Sequence, residues 1–128
     1  MAFKTIEPSN INILVNEFYN KILEDKTQVT DVFVSMLGDD IQNEKWQEHL
    51  EILTRFWTKQ TMNEPVYDGN PLMAHFHLPL NNEMFTIWLD TFIETANRLY
   101  EPQLAKIFTD KALDIARNFI RKLITEKQ

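Results

Sequence analysis

The chain has 128 residues, 44% of them hydrophobic, and a formal net charge of −6 from 13 basic and 19 acidic side chains. That length predicts one domain over 1–128, whose folding buries roughly two-thirds of the surface an unfolded chain exposes. The lack of cysteine excludes disulfides, zinc ribbons, iron–sulfur clusters and thiol nucleophiles. Without a Lys/Arg cluster, the acidic balance argues against nucleic acid and anionic membrane as partners. No stretch approaches the length of a bilayer span, and Met1 to Asn10 lacks the basic-then-apolar order of a secretion signal, so a cytoplasmic protein is expected.

With two glycines, Gly38 and Gly69, and no sustained apolar–polar alternation, strands joined by tight turns are disfavoured and an all-α chain is expected. Pro8-Ser9-Asn10 reads as the cap of a first helix, along which Ile11, Leu14, Val15, Phe18, Tyr19, Ile22 and Leu23 recur on one side. Thr30 to Leu37 reads as a short helical corner closed by Gly38. Asp39 and Asp40 precede a long helix predicted from about Ile41 to Met62, with Trp46, His49, Leu50, Leu53, Phe56 and Trp57 as its buried stripe. After a loop from Asn63 to Asn70, Pro71 starts a short helix that carries His75 and stops before Pro79. Asn81 and Asn82 cap a helix through Phe85, Trp88, Leu89, Phe92, Ala96 and Leu99. Pro102 opens the last, with Leu104, Ile107, Phe108, Ile115, Phe119, Ile120 and Leu123 facing the core. The expected architecture is four main helices and two short ones.

Candidate functional groups are the polar atoms on these apolar faces. Tyr19 sits among aliphatic residues, and His49 lies three residues after Trp46 and four before Leu53, so both point inward. Each has a plain reading as a core residue whose polar tip reaches a carbonyl or the surface, and Trp88 reads by itself as core filler. His75 is more pointed. A proline-started turn of helix that is apolar on one side can present an imidazole nitrogen to a flat metal cofactor, with His49 and Tyr19 facing it from the other side.

The residues that carry this argument, Phe18-Tyr19, Phe33, Trp46-Gln47-Glu48-His49, Phe56-Trp57, Tyr67-Asp68-Gly69-Asn70-Pro71-Leu72, His75 and Ile87-Trp88-Leu89, resemble the group III truncated haemoglobins. The resemblance runs from about Phe3 to the last helix. The paired-glycine motifs of the first two groups are absent. It implies a two-over-two helical sandwich around non-covalent haem b, with His75 as the proximal iron ligand. It places His49, Tyr19 and Trp88 on the distal side, and Phe33, Leu53, Phe56, Trp57 and Leu72 along the pocket. Ligands implied are oxygen, nitric oxide and carbon monoxide.

Donors within hydrogen-bond reach of such a ligand slow its loss, which suits detoxification, redox chemistry or sensing better than oxygen delivery. Nitric oxide dioxygenation or peroxidase-like turnover would draw on an external reductase, because the chain carries no glycine-rich nucleotide fingerprint. His75 is expected to donate its second N–H to a carbonyl near Pro71 or Leu72. His77, two residues on, diverges from His75 by roughly 160° on a helix and reads as exposed or as a propionate contact. Two other classes stay open. His49, His75 and His77 on an extended segment would make a three-histidine zinc enzyme. Alternatively Trp46, Trp57 and Trp88 serve a cofactor-free helical interaction module.

Overall fold

The computed structural model describes residues 2–67, 69 and 78–125. These form α1 (Pro8–Asp25), α2 (Gln28–Leu37), α3 (Glu44–Met62), α4 (Asn82–Leu99) and α5 (Pro102–Phe119), the last continuing as a π-helical segment, Ile120–Thr125. The short helix expected from Pro71, with Leu72, His75 and His77, lies outside the described residues. Among the described residues no helix is long and apolar enough to cross a membrane.

The helices start where short polar side chains can take the first free amides. Pro8 opens α1 from the cap residue Glu7, and Asn10, three positions in, accepts the Glu7 backbone N–H on its side-chain oxygen at 3.1 Å. The reciprocal polar group is therefore the third residue of the helix, and the helix begins at Pro8, inside the stretch expected to cap it. Likewise α2 begins at Gln28 and not Thr30. Thr27 accepts from the Val29 N–H, and Thr30 accepts from the Thr27 N–H while donating to the Ile22 carbonyl of α1. Helix α3 begins at Glu44, not Ile41, because Asn43 is the residue whose side chain accepts from the Trp46 N–H, at 2.8 Å. The residues before it form a turn in which the Asp40 carboxylate accepts the Gln42 N–H. Asn81 caps α4 as expected, accepting from Met84, and donates its amide to Gln28 at the start of α2.

Two corners fix how the helices stack. At the first, Gly38 takes a φ of 89° that suits glycine, the Trp46 indole N–H donates to its carbonyl at 2.8 Å, and Asn43 donates to the Leu37 carbonyl. This ties the end of α2 to the first turn of α3. At the second, Phe3 pairs with the α4–α5 junction: its N–H donates to Leu99 and its carbonyl accepts from Glu101. Beneath it the Tyr100 hydroxyl donates to the Asn10 side-chain oxygen at 2.6 Å, and the Asn10 amide donates to Thr5. Asn10 thus has three partners inside the fold. Asn10→Ala should cost about 2 kcal/mol, since it strands a buried phenol and an amide together. A lowered urea midpoint checks this, and an unchanged one would show that the junction holds without it.

α1 packs on α3 and α4 on α5, and the two pairs are stacked chiefly through α1 against α4. This is the two-over-two arrangement expected from the sequence. Ile11, Leu14, Phe18 and Ile22 of α1 meet Trp46, Leu50 and Trp57 of α3 and Phe92 of α4, while Ala96, Ala105 and Ala112 are fully buried. Small residues at those positions let the backbones approach. Ile107 departs from the expected stripe and is 40% exposed. Its neighbours Ala105 and Phe108 carry the inward face, and Ile107 falls to its edge.

Candidate cofactor pocket

Between the two helix pairs lies a cavity of about 320 Å³. Tyr19 of α1, Phe33 of α2, His49, Leu53, Phe56 and Trp57 of α3 and Trp88 of α4 all line it, so seven of the residues singled out in the sequence are brought to one place. Leu72 and His75 are not among the described residues.

The remaining walls were not anticipated. Val29, Val32, Met36 and Leu37 of α2 close one side, and Ile115, Ala116 and Phe119 of α5 close another, with Tyr67, Leu78, Leu80, Met84 and Phe85 between them. A signal for the α2 wall was present, because Val29, Val32, Phe33, Met36 and Leu37 follow the i, i+3, i+4, i+7 spacing of one helix face. Met36 marks where that face runs out to solvent, at 55% exposed. For α5 no such signal existed. Its apolar residues serve the core and the cavity alike, and only the crossing of the helices divides them.

Polar atoms in this lining are few. The Trp88 indole lies near enough to the Tyr19 phenol to favour its ionised form. An indole can only donate, so this approach leaves the phenol's own proton for another acceptor. The His49 ring stands edge-on to Tyr19 with centroids 5.5 Å apart, and its Nε2 is buried. Phe33 lies against both rings, 5.1 Å from Tyr19 and 6.0 Å from His49. α2 is held in this position by the Gly38 and Thr30 contacts already described.

Burial holds the Tyr19 phenol well above its ordinary value of 10.0, and the nearby Trp88 indole offsets only part of that. Tyr19 therefore stays a protonated donor at any physiological pH. Burial raises Tyr100 in the same way. Because the folded chain keeps protons that the unfolded chain gives up, stability is full below about pH 10 and falls as pH rises above it. Denaturant midpoints taken at increasing alkaline pH should show that decline, and Tyr100→Phe should flatten it.

The lining excludes charge. No Lys, Arg, Asp or Glu appears in it among the described residues, and a mostly apolar cavity with a few convergent polar tips suits a flat, largely apolar group that carries one reactive centre. Haem fits these walls. Among the described residues no group of three or more His, Cys, Asp or Glu side chains is placed to hold a metal ion, and two members of the three-histidine alternative, His75 and His77, lie outside them. The interaction-module alternative takes the three tryptophans as hot-spot or core residues. Here Trp46 and Trp57 are buried, and Trp88 faces the cavity.

Stacked helix pairs enclosing an internal apolar cavity define an all-helical protein of the globin class. No family model matches the chain. A curated group 3 truncated haemoglobin from Campylobacter jejuni is 33% identical over 120 residues, which are 93% of this chain and 92% of that protein. The crystal structure of a group III truncated haemoglobin from Campylobacter jejuni matches with a TM-score of 0.88 at 33% identity, over 96% of this chain and 95% of that one. The chain belongs to the group III truncated haemoglobin family.

Proposed function

We propose that the cavity holds one non-covalent haem b, with His75 as the protein ligand to iron, and that the protein reversibly binds oxygen, nitric oxide or carbon monoxide there. The observation that carries this reading is the convergence of the Tyr19, His49 and Trp88 polar tips in an otherwise apolar cavity. Absence of cysteine leaves a histidine as the natural iron ligand and excludes covalent thioether attachment. When bound, haem supplies an iron centre that takes a diatomic ligand.

What the protein contributes is orientation, a proton and the exclusion of water. Trp88 lies beside the Tyr19 oxygen, and Tyr19 presents its proton to the ligand. The edge-on His49 ring bounds the same space and serves as a second donor or as a gate. Phe33, Leu53, Phe56 and Trp57 keep water from competing for those bonds. Each hydrogen bond is worth on the order of 1 kcal/mol, so two acting together slow ligand loss by about tens-fold. Slow release suits chemistry on the ligand, or sensing it, and any turnover draws electrons from an external reductant, a cytoplasmic reductase among them.

Absorption spectra of the ferric, ferrous and carbon monoxide forms, recorded beside those of His75→Ala, test the reading. A strong Soret band with a histidine-type carbon monoxide spectrum, lost or altered in the variant, is expected. A colourless protein that takes up no added haemin would overturn it.

A further inference from the structure

Along the cavity wall the rings of Trp88, Trp57, Phe56 and Tyr67 are joined in continuous contact, with Phe92 behind them. Phe92 stacks with Trp88, with centroids 5.6 Å apart and planes 8° apart, and with Trp57, at 4.7 Å and 18°. Trp57 meets Phe56 edge-on at 5.4 Å, and Phe56 meets Tyr67 at 5.2 Å. One end of this series is the indole beside Tyr19 in the cavity lining. The other end reaches the surface. Tyr67 is half-buried, and its phenol lies so close over the exposed Gly69 that a Cβ there would stand 2.6 Å from the phenol oxygen.

Packing alone requires only large apolar rings at these positions. The members at the two ends and in the middle are instead tryptophan, tryptophan and tyrosine, the side chains that most readily give up one electron, while Phe92 and Phe56 lie between them as bridges that hold no charge. We propose that Trp88, Trp57 and Tyr67 form an electron relay, through which a one-electron reductant of phenol or enediol class at the surface supplies an oxidant held in the cavity. The relay rests on the haem reading only for the seat of that oxidant.

The steps balance. The oxidant takes one electron from Trp88, Trp57 returns one to Trp88 across Phe92, and Tyr67 returns one to Trp57 across Phe56. As its electron leaves, Tyr67 gives its hydroxyl proton to water, so both tryptophans end unchanged and a neutral tyrosyl radical remains at the surface. The phenol or enediol then gives a hydrogen atom to Tyr67 and becomes a radical itself. With hydrogen peroxide as oxidant, two passes deliver two electrons, and two protons drawn from water complete its conversion to two waters.

The test locates the radical rather than measuring turnover. The purified protein is treated with a spin trap and either hydrogen peroxide or radiolytic azide radical, which oxidises tryptophan directly and needs no cofactor. Adducts are mapped by mass spectrometry and normalised to haem content in the peroxide arm. Both arms should label Tyr67, with labelling falling to background in Trp57→Phe; Trp88→Phe should give the same loss in the peroxide arm. Labelling of Tyr67 by azide radical alone, still dependent on Trp57, would support the relay and overturn the cavity as the oxidant's seat. Labelling of Tyr67 that ignores Trp57, or labelling of Tyr19 with none at Tyr67, would overturn the relay.

Discussion

Tyr19→Phe should raise the oxygen dissociation rate about tenfold, because it removes a donor worth about 1.4 kcal/mol from a cavity with little water to replace it. Stopped-flow displacement of oxygen by carbon monoxide reads this directly, and an unchanged rate would take Tyr19 out of the donor role. The structure adds a condition on Trp88. Its indole acts on the Tyr19 phenol, so Trp88→Phe should act through the orientation of the phenol and have a smaller effect of the same sign. In a Tyr19→Phe background the tryptophan change should then add little, since residues sharing one hydrogen-bond network are not additive. Fully multiplicative effects would instead place the indole N–H on the ligand itself.

Phe92→Ala should lower stability by about 3–5 kcal/mol, the range for removing a buried aromatic ring. Phe92 is 1% exposed, stacks with Trp57 and Trp88, and takes the edge of Phe18 at 5.4 Å. Few side chains here have three aromatic neighbours and no solvent. Against a total of about 5–15 kcal/mol for a domain, that loss is a large share, and the variant should unfold at a much lower urea concentration. Phe92→Leu, which refills most of the space, should cost about 1.5 kcal/mol or less. If alanine and leucine behaved alike, volume would not be what the position supplies.

Tyr67 and Gly69 show how far the residues could be read singly. Both belong to the segment that carries the family resemblance, yet nothing in the chain's own pattern showed that the phenol lies on the glycine, or that Phe56 meets its ring. The same limit applied to the helix starts. Thr27, Asn43 and Glu7 were displaced by one to three residues from the expected boundaries because several capable polar residues stand together, and which one caps depends on the neighbouring helix it also touches. Thr30 is the clear case: its hydroxyl serves the Thr27 amide and the Ile22 carbonyl of α1 at once.

The helical class, the number of main helices and the inward faces of α1 and α3 were legible in the residue pattern, and the set Tyr19, Phe33, His49, Trp57 and Trp88 in the family resemblance. Helix periodicity is a local property, written within a few residues of where it acts. The tertiary structure alone decided that α2 and the end of α5 wall the cavity. It also decided that the Trp88 indole comes beside the Tyr19 phenol, and that Trp88, Phe92 and Trp57 stack. Tyr19 and Trp88 lie on α1 and α4, and Trp57 and Phe92 on α3 and α4. A contact between helices far apart in the chain depends on how they cross, and a helix face records only that it is apolar, not which partner it meets.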